Sequence, residues 1–283
     1  MKKVLLFGAS GNLGQAIAKE LISQGYEVVI IVRRKERAAQ LASIAPNFIV
    51  ADVLNPASLK GICQGYDVVI SALGKSVSPN DQGKASFYEV DFVGNLNILQ
   101  EAQRCAVPKF VYVSAFHAEK YLHLDYFRVH HEFAERLKTS GLDYAIIKPP
   151  AIFSAFKDLM EMAQKGQLVH IGAGDKKTNP IYEGDLAKIC VDSIHQKQAV
   201  IEAGGKRVYT RKELNEIMQQ IVNPAFNIQT VPLFVFKLML PLLKVFNKNM
   251  YDKFAFFVTV SQTDTIAPLA GEMSFEDYVS LQK

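Results

Sequence analysis

The sequence lacks an excess of charge of either sign: 32 Lys and Arg stand against 28 Asp and Glu, a net +4 over 283 residues. The two signs interleave along the chain, which argues against a nucleic-acid surface. Long uninterrupted apolar runs are also missing. The most apolar stretch, 231–246, is broken by Lys237, Pro241 and Lys244 and falls short of the roughly 18 consecutive apolar residues of a membrane span. It reads as a helix of a substrate-binding lobe, with an amphipathic helix lying on a membrane surface as the alternative. Cysteines are few. Cys63, Cys105 and Cys190 are far apart and have no metal spacing, so free thiols in a reducing compartment are expected. A strand pattern begins after Met1-Lys2-Lys3 and is interrupted by Gly8 and Ser10, which does not suit a secretory signal. The expected location is cytoplasmic. No linker rich in Gly, Ser or charge, no repeat and no low-complexity tract is apparent.

What is present is alternation. Val4–Phe7, Glu27–Val32, Phe48–Ala51, Val68–Ser71, Phe110–Val113 and Tyr144–Ile147 read as strands. Leu13–Ser23, Arg37–Ser43, Pro56–Cys63, Tyr88–Cys105 and Tyr126–Thr139 read as helices between them. Nearly continuous hydrophobic strands separated by helices predict an α/β fold with a doubly wound parallel sheet covered on both faces. After Lys148-Pro149-Pro150 the rhythm becomes irregular. The expected organisation is a nucleotide-binding domain over 1–150 and a small C-terminal substrate lobe over 151–283, with some of its segments returning to the first core.

Gly8-Ala9-Ser10-Gly11-Asn12-Leu13-Gly14 follows the first strand and opens the first helix. Glycines let the chain turn without a Cβ clash, and the amides of the helix start suit a dinucleotide pyrophosphate. The spacing is Gly-x-x-Gly-x-x-Gly, so the strand–turn–helix context carries the reading. About 20 residues past the turn, where an acid would contact the ribose hydroxyls of NAD, the second strand ends in Arg33-Arg34. Arginines there offer planar donors to a 2′-phosphate, which favours NADP(H). Asp52 and Val53 at the third strand end are placed by the adenine. Ala72, Leu73 and Gly74 after the fourth are placed under the cofactor.

With these motifs, Val90-Asp91-Phe92-Val93-Gly94-Asn95, Phe110-Val111-Tyr112-Val113-Ser114, Ser140-Gly141-Leu142-Asp143-Tyr144 and Asn179-Pro180-Ile181 with Gly184-Asp185-Leu186-Ala187, the chain resembles the short-chain dehydrogenase/reductase superfamily. It is most similar to the atypical, NmrA-like branch. The resemblance implies a Rossmann fold, with Pro149 shaping a turn by the nicotinamide and Lys148 standing where the family has arginine. It also implies a serine after the fifth strand and a Tyr-x-x-x-Lys on the next helix. Ser114 matches the serine. The helix offers Tyr126 with His130 or Phe127 with His131, neither of which is Tyr-x-x-x-Lys. A histidine could hold a ribose hydroxyl and, with an ordinary pKa of about 6.5, exchange protons near neutrality. His117 lies on the loop expected to border the site.

Metal binding is not expected, because His130 and His131 are neighbours and have no companion cysteine pair. Ser114 lacks a Gly-x-Ser-x-Gly elbow, which argues against a hydrolase. Phe153, Phe156, Met160 and Met162, with the 233–246 segment, would line an apolar ligand site or form the core of the lobe. Two functions therefore compete. One is an NADPH-dependent oxidoreductase acting on a small apolar or aromatic molecule such as a quinone, flavin or enone. The other is a non-catalytic NADP(H)-binding redox sensor or assembly factor.

Overall fold

The computed structural model describes residues 1–283. Six apolar segments form β1 (Lys3–Phe7), β2 (Glu27–Val32), β3 (Phe48–Val50), β4 (Val68–Ser71), β5 (Lys109–Val113) and β6 (Asp143–Lys148). Two short strands, β7 (Val169–Ile171) and β8 (Lys177–Thr178), lie outside their sheet, and β9 (Ala199–Glu202) closes its far edge in the order β3-β2-β1-β4-β5-β6-β9. Neighbouring strands from β3 to β6 pair in parallel. Such strands need both faces covered, which is why β4 is buried at every position.

The covering helices are α1 (Asn12–Ser23), α2 (Lys35–Leu41), α3 (Pro56–Leu59), α4 (Asn95–Arg104), α5 (Asp125–Lys138) and α7 (Glu183–Asp192), while α6 (Lys157–Gln164) belongs to a separate unit described below. Alternation along the strands divides the core between two layers. Leu5, Phe7, Val69, Phe110, Tyr112 and Ile146 meet Ile98, Leu99 and Ala102 of α4 and Phe133, Ala134 and Leu137 of α5. Against the other face, α1 lies along β1 and β2 and packs on α7. Boundaries expected from sequence differ by a few residues, and one expected helix is composite. The segment read as a helix over Tyr88–Cys105 is a π-helix, Tyr88–Gly94, continued by α4.

The chain divides into two compact units, the first comprising 1–75, 85–148 and 183–201 and the second 76–84, 149–182 and 202–283. The second holds β10 (Tyr209–Thr210), α8 (Arg211–Val222), β11 (Gln229–Val231), α9 (Leu233–Phe246), α10 (Lys248–Ser261) and α11 (Phe275–Leu281), of which β10, β11, α10 and α11 were not anticipated from the sequence. Its core is Phe153, Phe156, Met160, Met218, Tyr209 and Phe275 with their neighbours, and Met162 packs against it from a partly buried position. These residues serve as lobe core. The expectation that 233–246 would join them fails, because no residue of α9 is buried.

The order of the sheet decides where a ligand can sit. From β1 the chain steps outward to β2 and β3, then returns to β4 on the other side of β1, so the loops leaving β1 and β4 diverge at a topological switch point. There the backbone approach leaves no room for side chains. A Cβ on Gly8, whose φ is +80°, would lie 2.4 Å from the Ala72 carbonyl oxygen, and one on Gly14 would lie 2.1 Å from the Gly8 carbonyl oxygen. Gly25 has the same φ of +80° with nothing within 4 Å of its Cβ position.

The pair separates backbone strain from crowding. Gly25→Ala should cost about 1–2 kcal/mol, the left-handed penalty alone. Gly8→Ala adds an overlap with backbone that cannot rotate away and should cost at least about 3 kcal/mol. Urea unfolding of the two variants measures the difference, and equal losses would show that the loops separate freely.

Candidate functional site

The sheet carries its candidate residues at the carboxyl ends of successive strands, the end where open α/β sheets bind ligands. Gly11 is the N-cap of α1. It is extended (φ −80°, ψ 162°), supplies no side-chain cap, and no acid stands in the first turn. The positive end of α1 is thus left for an anion. Ser10 is exposed and Leu13 buried, with the Gly11 amide donating to the Gly8 carbonyl at 3.1 Å to hold the turn. Arg33 and Arg34 leave β2 exposed, Arg34 as the N-cap of α2.

Asp52, after β3, is exposed and its Oδ1 accepts from the Leu54 amide at 3.0 Å. Ser58 fixes the same loop by accepting from the Asp52 amide at 3.0 Å and donating to its carbonyl at 2.8 Å. Val53 is buried, and the Asn97 side chain donates to its carbonyl at 2.8 Å. Ala72 and Leu73 are half-buried and Gly74 exposed, so this edge presents small residues and backbone. Pro149 directly follows β6, is buried and opens the second unit.

At β5 and α5 the structure gathers a buried polar group that the sequence reading assigned only in part. Ser114 is buried, and its amide donates to the Ile147 carbonyl at 2.7 Å. Its hydroxyl lies close enough to the Tyr112 phenol to hold that phenol's pKa down slightly, but it reaches no partner at hydrogen-bonding geometry. Tyr126 and His130 lie one turn apart on the same face of α5, ring to ring at 4.7 Å, and the Tyr126 ring stands edge-on to Phe87 at 5.5 Å. Phe127 is buried against Tyr121, and His131 is half-buried about 100° around the helix from His130. His117 holds a left-handed backbone (φ 55°), stacks on Phe116 and meets the Lys120 ammonium through Nε2 at 2.9 Å.

His130 connects two further groups. Its Nδ1 lies 2.6 Å from the Tyr112 hydroxyl and its Nε2 lies 3.7 Å from Asp91 Oδ1. A phenol donating to Nδ1 leaves the ring proton on Nε2, facing the carboxyl. Asp91 sits in the π-helix, fully buried, and both its carboxyl oxygens accept from the Lys75 amide, at 3.1 and 3.3 Å. Asn95 donates to the Asp91 carbonyl at 2.8 Å and accepts from Ser71 at 2.5 Å, which ties the π-helix to the end of β4. Burial raises the Asp91 carboxyl to about 8 and lowers the His130 imidazole to about 4. Burial, helped by the Asp91 charge, also raises both the Tyr112 and Tyr126 phenols. The cluster is therefore one of neutral groups near neutrality, a protonated carboxyl beside an uncharged imidazole.

Asp91 and Tyr112 escaped the sequence reading as site residues, although both stood in quoted motifs. The one signal for Asp91 was an acid in an otherwise apolar helical face; for Tyr112 there was none, since it reads as core. Elsewhere, no group of three His, Cys, Asp or Glu side chains is gathered to hold a metal ion. A surface depression bordered by Val107, Pro108, Gly141 and Leu142 lies at the amino ends of β5 and β6, the opposite end of the sheet.

Comparison with known proteins agrees with this geometry. A family model described as NAD(P)H-binding matches residues 8–197. The photosystem II assembly factor Ycf39 of Trieres chinensis is 22% identical over 89% of this chain and 80% of its own length. The chloroplastic divinyl chlorophyllide a 8-vinyl-reductase of Cucumis sativus is 27% identical over 81% of this chain and 59% of its own length. Among solved structures, the Escherichia coli NADPH-dependent quinone oxidoreductase QOR2, complexed with NADPH, superposes with a TM-score of 0.73 at 19% identity, covering 99% of both chains. That likeness establishes a common fold.

The opposite shifts of the two groups have a signed consequence for stability. His130, depressed when folded, contributes stability above about 6.5 that is lost as pH falls through about 4, because the unfolded ring accepts a proton the folded one resists. Asp91, raised when folded, contributes stability at low pH that is lost as pH rises through about 8. Between pH 4 and 6.5 the two slopes cancel, and removing either partner exposes the other. His130→Asn should lose stability, and Asp91→Asn gain it, as pH rises across that window, each by up to about 1.4 kcal/mol per pH unit. Denaturant titrations at several pH values give the slopes; slopes of equal sign would show that burial does not shift the two groups in opposite directions.

Proposed function

The chain belongs to the NAD(P)H-binding family, and from that premise we propose that it is an NADP(H)-dependent reductase that passes a hydride to a small apolar or aromatic acceptor such as a quinone, flavin or enone. The observation that carries the proposal is the Ser114 hydroxyl, buried at the carboxyl end of β5 with no partner in the protein. An unsatisfied buried hydroxyl costs about 1–3 kcal/mol, a cost offset when a ligand's polar group completes the site.

The residues present fit the dinucleotide. The turn Gly8–Gly14, with Ser10, Gly11, Asn12 and Leu13, would receive the pyrophosphate on the uncapped start of α1. Arg33 and Arg34 would clamp a 2′-phosphate, Asp52 and Val53 would border the adenine, and Ala72, Leu73 and Gly74 would allow the backbone to approach. Ser114, Tyr126 and Pro149 are assigned to the nicotinamide end.

When bound, NADPH supplies two electrons as a hydride, and a proton from solvent completes reduction of the acceptor. The chain's own residues contribute position and dryness more than acid strength. Tyr126 is held as a phenol, and the residue one turn on is His130, kept neutral by burial, where a lysine would have made the phenol more acidic. Ser114 can donate a hydrogen bond to the acceptor's oxygen. Such a site suits an acceptor that takes up charge over a conjugated system.

The neutral histidine also favours a second reading, a non-catalytic NADP(H)-binding protein that reports redox state or assists assembly. The two named relatives, a reductase and an assembly factor, are compatible with one reading each.

Two measurements separate the readings. Arg33→Ala/Arg34→Ala should weaken NADPH binding by about 10- to 100-fold and leave NADH binding nearly unchanged, as expected for losing charge-assisted hydrogen bonds to one phosphate. NADPH consumption against a panel of quinones, flavins and enones should reveal turnover that Ser114→Ala lowers while nucleotide affinity is retained. Tight NADPH binding with no turnover on the whole panel would reject the reductase in favour of the second reading.

A further inference from the structure

Helix α9 presents an apolar face to solvent. Phe234 (62% exposed), Leu238 (68%), Leu242 (63%), Val245 (79%) and Phe246 (83%) recur at i, i+4, i+8, i+11 and i+12, which places them along one stripe of the helix. Contact with α10 occupies the remaining side, where Leu233, Phe236, Leu240 and Leu243 are half-buried. A stripe of this extent on a surface marks an interaction face rather than scattered surface residues.

Charge identifies the occupant. Between Glu216 and Asp252 the chain has no acidic residue, and its only charged side chains are Lys237, Lys244 and Lys248. Lys248 pairs with Asp252 at 2.7 Å. Lys237 and Lys244 are exposed, seven residues apart, and fall along one flank of the apolar stripe, the position from which lysine stems cover apolar surface and carry the ammonium outward. A second copy of the chain docked face to face would bring lysines toward lysines with no acid on this stretch to pair them. An acidic surface of lipid headgroups over hydrocarbon meets both requirements at once.

At 14 residues the helix is about 21 Å long, short of the roughly 30 Å hydrocarbon core, and no helix of the chain is long and apolar enough to cross a membrane. We propose that α9 lies in the plane of an anionic bilayer surface, with Phe234, Leu238, Leu242 and Phe246 among the acyl chains and Lys237 and Lys244 at the headgroups. The chain would then work on the membrane, where apolar molecules concentrate.

The test is cosedimentation of the full chain with vesicles of phosphatidylcholine alone or with one quarter phosphatidylglycerol. Binding to the anionic vesicles is expected, weakened about fivefold for each of Lys237→Gln and Lys244→Gln and by 0.5 M salt. It should disappear in Leu238→Asn/Leu242→Asn. These side chains are exposed, so the variants should keep the wild-type melting temperature and NADPH affinity, which also separates this outcome from failure of the reductase reading. Equal binding to both vesicle types, or none to either, would overturn the proposal. So would a wild-type dimer in light scattering that Leu238→Asn/Leu242→Asn converts to monomer, which would assign the face to self-association.

Discussion

The closeness of two backbone segments governs the first unit. Where β1 and β4 end, the loops pass so near that a single Cβ on Gly8 would stand 2.4 Å from the Ala72 carbonyl oxygen. The approach follows from the topology, since β1 and β4 are neighbours whose chains leave in opposite directions. It brings the start of α1 down onto the sheet edge. Everything else along that edge, from Arg33 to Ser114, is placed relative to this contact by the strands that pair out from it.

A second constraint is the burial of polarity behind that edge. Asp91, His130 and Tyr112 sit in surroundings that penalise charge, so each is more stable neutral than in water. Networks of this kind hold position well because no member can leave without stranding another. The cost falls on acid–base power: a buried neutral imidazole next to a phenol does not make that phenol a better acid. Rigidity and weak acidity thus have one origin, and a site built this way depends on the chemistry of its ligands.

Much of the first unit was legible in the sequence, for identifiable reasons. Strands such as Val68–Ser71 are short, apolar on both faces and bounded by polar turns, so their pattern has one interpretation. The glycine turn was readable because its strand–helix context makes up for a spacing that departs from Gly-x-Gly-x-x-Gly. What was hidden depended on distant contacts. Tyr112 reads as one more core aromatic, and only the arrival of α5 gives its hydroxyl to His130. Helical periodicity left Tyr126/His130 and Phe127/His131 equivalent, while packing buried His130 beside Tyr126 and left His131 partly open. The apolar composition of 233–246 suggested a core helix, yet composition does not say which surfaces a chain has to offer it.

Each turn of the π-helix Tyr88–Gly94 holds more residues than an α-turn does, and Asp91 owes its direction to that surplus. A chain one residue shorter in this stretch could close an ordinary helix, and the carboxyl would then swing by roughly 100° away from His130. The position of this acid is therefore encoded in segment length more than in residue identity. Among relatives, a one-residue gap between 88 and 94 would mark a different proton arrangement even where Asp, His and Tyr are all retained.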